Sequence, residues 1–154
     1  MLSMKKILLP IDFSDYSKNA LRYAIDFNER FHAEFLLLYV IEPVIYPADF
    51  SFGQVALPSM ESELRERGQF QLDKLIEEEV PATMKAQAII RHGKPFVEII
   101  RVAKEEAVDM IIIATHGHSG FEQILFGSTA EKVIRKAHCA VLSIRSPEHT
   151  FAMP

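Results

Sequence analysis

Short, almost uninterrupted apolar runs recur along this chain, with stretches of helical spacing between them. The runs are Ile7-Leu8-Leu9-Pro10-Ile11, Phe35-Leu36-Leu37-Leu38-Tyr39-Val40, Ala86 to Ile90, Met110 to Ala114 and Ala140 to Ile144. A strand with one wet face alternates apolar and polar residues, whereas a parallel strand covered on both faces reads as continuous hydrophobic sequence. The five runs therefore predict five buried parallel strands. Between the first two, Ala20, Leu21, Ala24, Ile25 and Phe31 recur at helical spacing, and Ser14 is placed to cap that helix. Val97, Ile100, Ala103 and Ala107 repeat the pattern after Gly93-Lys94-Pro95, with Pro95 suited to a first turn. Strand, helix and strand in succession require right-handed crossovers, which gives an α/β fold with a doubly wound sheet.

The segment from Glu42 to Pro58 breaks the pattern: Pro43, Pro47, Gly53 and Pro58 interrupt Ile45, Tyr46, Phe50 and Phe52. It is expected to be a long loop before the second helix, a lid over a ligand or an interaction surface. The last residues, 147–154, lack periodicity and are expected to form a loose tail after one domain over residues 1–146. At 154 residues and 49% hydrophobic, the chain has enough apolar material for a two-sided core in one domain.

Charge and cysteine usage narrow the partners. A net charge of -4 gives no basic footprint for nucleic acid or an anionic membrane surface. The single cysteine, Cys139, cannot form an internal disulfide, which suits a reducing compartment. No apolar run approaches the roughly 20 residues of a membrane span. The first apolar run, ended by Pro10-Ile11-Asp12, is too short for a secretory signal, so a cytoplasmic location is expected.

The candidate chemistry lies between Ile111 and Ile144. The fourth apolar run ends in Ala114-Thr115-His116-Gly117-His118-Ser119-Gly120, and Gly127-Ser128-Thr129 then opens a helix over Ala130-Glu131-Lys132-Val133-Ile134-Arg135-Lys136-Ala137. Glycine lets backbone approach a bulky ligand, and a helix N-terminus offers N–H groups and a positive dipole end to an anion. With the hydroxyls of Ser128 and Thr129, this reads as a phosphate cradle; the same Gly-Ser-Thr also serves as a turn and an N-cap.

At these residues the chain resembles the universal stress proteins. The ATP-binding signature of that family is Gly-x-x-Gly, nine residues, Gly-Ser/Thr; Gly117, the nine residues His118 to Phe126, and Gly127-Ser128 match its second and third glycine points. Ala114 stands where the first glycine is found, so the signature is complete except for one methyl group. The resemblance runs from Pro10-Ile11-Asp12-Phe13-Ser14 to the final strand. It implies a five-stranded parallel sheet sandwiched by helices, strand order 3-2-1-4-5, of the Rossmann-like or adenine nucleotide alpha hydrolase-like kind.

In that order the sheet reverses between strands one and four, where ligands bind at the carboxyl ends of strands. Strand one ends at Pro10-Ile11-Asp12 and strand four at Ala114-Thr115-His116-Gly117, so the two segments fall side by side. Asp12 then suits a ribose hydroxyl or a Mg²⁺ bridging phosphates, or it caps the first helix or ends the strand. The resemblance implies that Pro10, Ile11 and Asp12 line the adenosine and that backbone at Val40 faces the adenine edge. It sets Ile113 and Ala114 beside the sugar and Gly117, Gly127, Ser128 and Thr129 on the phosphates, with His116 and His118 pointing to phosphate or solvent.

Spacing argues against several enzymes. Gly127-Ser128 lacks the lysine of a P-loop. A nucleophile elbow around Ser119 would need glycine where Phe121 stands. His116-Gly117-His118 follows the fourth strand, whereas the nucleotidyltransferase His-x-Gly-His follows the first, and the two histidines lack further ligands of zinc spacing. No general base for phosphate transfer to water is evident. The expected function is non-catalytic binding, or at most slow hydrolysis, of ATP or another adenine nucleotide, with nucleotide state modulating dimer or protein-partner contacts. The last strand, Ala140 to Ile144, is expected to be an apolar edge that invites pairing with another chain, and the resemblance implies a homodimer through it. The alternative is a nucleotide-free universal stress protein acting as a dimeric interaction scaffold, which the methyl of Ala114 favours.

Overall fold

The computed structural model describes residues 3–43, 57–117 and 127–145. His118, Ser119, most of the loop between Glu42 and Pro58, and the 147–154 tail lie outside the described residues. Five strands, β1 (Lys6–Pro10), β2 (Glu34–Ile41), β3 (Ala86–His92), β4 (Met110–Ala114) and β5 (Ala140–Ile144), alternate with four helices, α1 (Asp15–Asn28), α2 (Leu57–Glu79), α3 (Pro95–Glu105) and α4 (Ser128–Lys136). The strands form one parallel sheet in the order β3-β2-β1-β4-β5. Both the α/β class and the 3-2-1-4-5 order expected from the sequence are present.

Alternating side chains of the central strands feed two cores. Ile7 and Leu9 of β1, with Phe35 and Leu37 of β2, pack against Leu21 and Ala24 of α1 and Leu72 and Leu75 of α2. Leu8, Leu36, Leu38, Ile111 and Ile113 face the other way, onto Ile99 and Val102 of α3 and Ala130 and Val133 of α4. Coverage on both faces is why these strands read as unbroken apolar sequence. Cys139 packs at the margin of the second core, and burial pushes its thiol pKa up, in keeping with a small apolar role.

Three local expectations need correction. The spacing in α1 ran on to Phe31, but the helix stops at Asn28, whose side chain exchanges two 2.8 Å hydrogen bonds with the backbone of Ala33 while its carbonyl accepts from Phe31 and His32 N–H. That amide turns the chain directly into β2. In α3 the buried face is Glu98, Ile99, Val102 and Ala103, rotated about one residue from the Val97-Ile100-Ala103-Ala107 row, and Ala107 lies beyond the helix in a left-handed conformation, φ 51°. Both rows carry one isoleucine and one valine and share Ala103, so apolar content does not choose between them; the helix ends at Glu105, before Ala107, and the second core takes the face that carries Ile99 and Val102. The loop expected from Glu42 to Pro58 ends earlier, because Pro58 falls in the first turn of α2, where a missing N–H costs nothing.

Candidate functional site

The crossover reversal between β1 and β4 opens a cavity of about 730 Å³ at the carboxyl ends of the strands. That size lies within the range of small-molecule sites, about 300–1,000 Å³. Pro10, Ile11 and Asp12 reach it from the end of β1, and Val40 from β2. Ile113, Ala114, His116 and Gly117 reach it from β4, and Gly127, Ser128 and Thr129 from the start of α4. Every sequence-derived candidate among the described residues therefore converges on one cleft; His118 is the one candidate outside them.

Asp12 is held by the helix it precedes. Its Oδ1 accepts from the backbone N–H of Ser14 at 3.0 Å and from the Ser14 hydroxyl. Ser14 in turn caps α1 by accepting from Ser17 N–H at 3.2 Å. The sequence left ligand contact and helix capping as alternatives for Asp12. Capping falls to Ser14, and Asp12 supports the capping residue while also lining the cavity. Phe13, between them, adopts a left-handed φ of 63°. Such a conformation costs a non-glycine residue about 1 kcal/mol or more and tends to gather at functional sites.

The loop after β4 and the start of α4 are tied together. Gly127 N–H donates to Thr115 O at 2.6 Å, and a Cβ at residue 127 would stand 3.3 Å from the same oxygen. Gly127 occupies the N-cap position with no side-chain capping bond, and the first intrahelical bond runs from Glu131 N–H to Gly127 O at 3.1 Å. The N–H groups of Ser128, Thr129 and Ala130 precede that bond, have no acceptor within the helix, and belong to residues that line the cavity. Together with the dipole of α4 they make the start of the helix attractive to an anion. His116 is buried, its Nδ1 lies 2.9 Å from Thr115 Oγ1, and its ring stands 5.8 Å from that of Tyr16.

Several lining residues were not singled out from the sequence. Phe13 and Tyr39 pack with ring centroids 4.8 Å apart on the cavity wall, and Leu64 and Gln71 of α2 reach the same wall. Their seven-residue separation places them on one helix face, but only the approach of α2 to β2 brings that face to the cleft. Gly68 lies between them, and a Cβ there would stand 2.8 Å from Tyr39 Cδ1. Ser17 and Thr115 also line the cavity. Among the described residues no group of three or more His, Cys, Asp or Glu side chains could hold a metal ion, and no helix is long and apolar enough to cross a membrane.

Known proteins that resemble this chain in sequence or fold are consistent in kind. Universal stress protein MJ0531 of Methanocaldococcus jannaschii is 35% identical over 147 residues, 94% of this chain and 84% of that protein. Universal stress protein MJ0577 of the same organism is 33% identical over 153 residues, 92% of this chain and 94% of that protein. A solved structure of MJ0577 superposes with a TM-score of 0.81, covering 96% of this chain and 99% of that one. The fold, at 18% and 19% identity, is also that of a universal stress protein in complex with cAMP, TM-score 0.62, and of one from Archaeoglobus fulgidus in complex with dAMP, TM-score 0.55. These cover 94% of this chain and 98% of the cAMP-bound protein, and 93% of this chain and 98% of the dAMP-bound one. Residues 4–145 match the Universal stress protein family, and the chain belongs to it.

Proposed function

We propose that this chain is a cytoplasmic stress-response protein that binds an adenine nucleotide, ATP, ADP or AMP, without turning it over. The observation that carries the reading is the convergence of Asp12 and the α4 N-terminus on one 730 Å³ cleft at the sheet's reversal point. Gly117, Gly127, Ser128 and Thr129 would take the phosphates, with His116 and His118 beside them. Ile113 and Ala114 would flank the sugar, Pro10 and Ile11 the adenosine, and backbone at Val40 the adenine edge. Asp12 would accept from a ribose hydroxyl or hold a Mg²⁺ that accompanies the phosphates, since a carboxylate oxygen is a hard ligand suited to that ion. The cAMP and dAMP complexes of proteins with the same fold support the ligand class.

The nucleotide would act as a state signal, altering self-association or the recruitment of a protein partner. β5 is the natural contact, because it lies at the edge of the sheet and none of its residues is fully buried, whereas four of the five in β4 are. An edge strand with half-exposed apolar side chains suits pairing with a second copy. Calorimetric titration of nucleotide-stripped protein with each nucleotide and Mg²⁺ tests the reading. Micromolar binding that Gly127→Val abolishes is the expected result, and no heat with any nucleotide would sink it.

A second reading, a nucleotide-free dimeric scaffold, draws on Ala114, which lines the cleft with a methyl group where the family's binding signature has glycine. It predicts dimers in solution and no nucleotide uptake by the wild-type chain.

A further inference from the structure

We infer that the cleft selects the least charged adenine nucleotide, a monophosphate over a triphosphate, unless a divalent cation accompanies the longer phosphate chain. The inference rests on the nucleotide-binding reading and specifies its ligand. The described lining residues include two carboxylates, Asp12 and Glu42, and neither lysine nor arginine. The two internal segments outside the described residues, 44–56 and 118–126, contain no lysine or arginine in their sequence either; their acidic residues are Asp49 and Glu122. Lys132, one turn into α4, holds its ammonium 4.9 Å from the ring centroid of Phe96, a residue that does not line the cleft.

The phosphate receptors therefore include no lysine or arginine: they are N–H groups at the start of α4 and the hydroxyls of Ser128 and Thr129, with the imidazole of His116 beside them. A helix end offers the equivalent of about half a positive charge, and its influence fades within a turn. That suits one phosphate group. Asp12 sits against the same loop, since a Cβ on Gly117 would stand 2.5 Å from Asp12 Oδ2. Its Oδ1 is bonded to Ser14, so the carboxylate is tethered there. A triphosphate brings about two further negative charges to a wall that already holds a carboxylate. At about 8 Å and a water-like dielectric, two such repulsions weaken binding on the order of five- to tenfold. A bound Mg²⁺ cancels those two charges and the penalty with them.

The test is calorimetric titration of the nucleotide-stripped full chain at low ionic strength with adenosine, AMP and ATP, first in EDTA and then in excess Mg²⁺. Expected are AMP binding roughly five- to tenfold tighter than ATP in EDTA and a gap that closes with Mg²⁺. Asp12→Asn should shrink the AMP-to-ATP ratio in EDTA, because whatever Asp12 does for the sugar is common to both ligands and cancels. ATP equal to or tighter than AMP in EDTA, with binding still lost in Gly127→Val, would overturn the selectivity and leave the nucleotide reading standing. An unchanged ratio in Asp12→Asn would overturn its electrostatic origin. If no ligand binds, adenosine included, the nucleotide reading falls and takes the selectivity with it.

Discussion

The carboxylate of Asp12 and the backbone of Gly117 occupy adjoining space, so close that a Cβ at residue 117 would stand 2.5 Å from Asp12 Oδ2. Residues 105 positions apart in sequence are thereby made to fit each other at the mouth of the cleft. Asp12 could give way only by releasing the Ser14 N–H that its other oxygen accepts at 3.0 Å. Gly117→Ala is therefore expected to cost about 1–2 kcal/mol of stability and to weaken nucleotide binding roughly tenfold or more. In an Asp12→Ala background the same substitution should be nearly neutral for stability. Thermal melts of the four proteins in this cycle check the coupling; costs that simply add would mean that the two residues do not constrain each other.

Gly68 provides a test of sign. A glycine inside a helix such as α2 ordinarily gains about 0.5–1 kcal/mol on replacement by alanine. Here a Cβ would lie 2.8 Å and 3.0 Å from Tyr39 ring carbons and 3.2 Å from Ile90 Cδ1. The Tyr39 ring is itself packed on Phe13 and cannot swing freely. Gly68→Ala should therefore destabilise, by roughly 1–3 kcal/mol as other overpacked sites do. Made on top of Tyr39→Ala, it should become neutral or stabilising. Denaturant unfolding reads both values, and a stabilising effect in the wild-type background would show that α2 does not bear on Tyr39 as described.

What the sequence reveals, and what it withholds, divides along a physical line. β4 begins and ends where its apolar run does, because burial on both faces writes itself into its residues, and the edge strand β5 keeps the bounds of its own run although none of its residues is fully buried. The meeting of Pro10-Ile11-Asp12 with the Ala114–Gly117 segment was also legible, since strand order converts two sequence positions into neighbours. The Phe13–Tyr39 pair, Leu64 and Gln71 were not. Their place on the cavity wall depends on how closely α2 approaches β2 and on a left-handed φ at Phe13, neither of which has a local signature. The buried face of α3 is not legible in the sequence for a related reason: with two apolar rows available, the neighbouring elements choose between them.

Asp109 ties the start of β1 to the turn before β4. Its Oδ2 accepts from Lys5 N–H at 2.7 Å and Lys6 N–H at 3.0 Å. The Lys6 and then the Lys5 backbone bond hold its pKa below the ordinary carboxylate value. A depressed folded-state pKa contributes stability that is present above the unfolded value, near 4, and is lost as pH falls through the folded one. Asp109→Asn should therefore cost about 1 kcal/mol or less at neutral pH, given how exposed the site is. The difference between the two proteins should shrink below pH of about 4. Urea midpoints measured across that interval check the direction, and a gap that widens in acid would contradict the assignment.

Ala114 is the position where sequence and site disagree most sharply. It ends β4, pairs in register with Ile144, is 8% exposed and lines the cleft beside the residues proposed to hold the sugar. Ala114→Gly restores the missing glycine of the signature, at the expense of a residue well suited to a strand. Stability should fall by about 0.5–1 kcal/mol through the added backbone freedom of the unfolded chain. Nucleotide affinity should move the other way, rising severalfold as the methyl group leaves the wall. Opposite signs in melting temperature and dissociation constant, measured on the same preparation, would show that the methyl narrows the cleft without closing it. If affinity is unchanged while stability falls, the methyl does not meet the ligand, and the departure from the signature is a matter of strand packing alone.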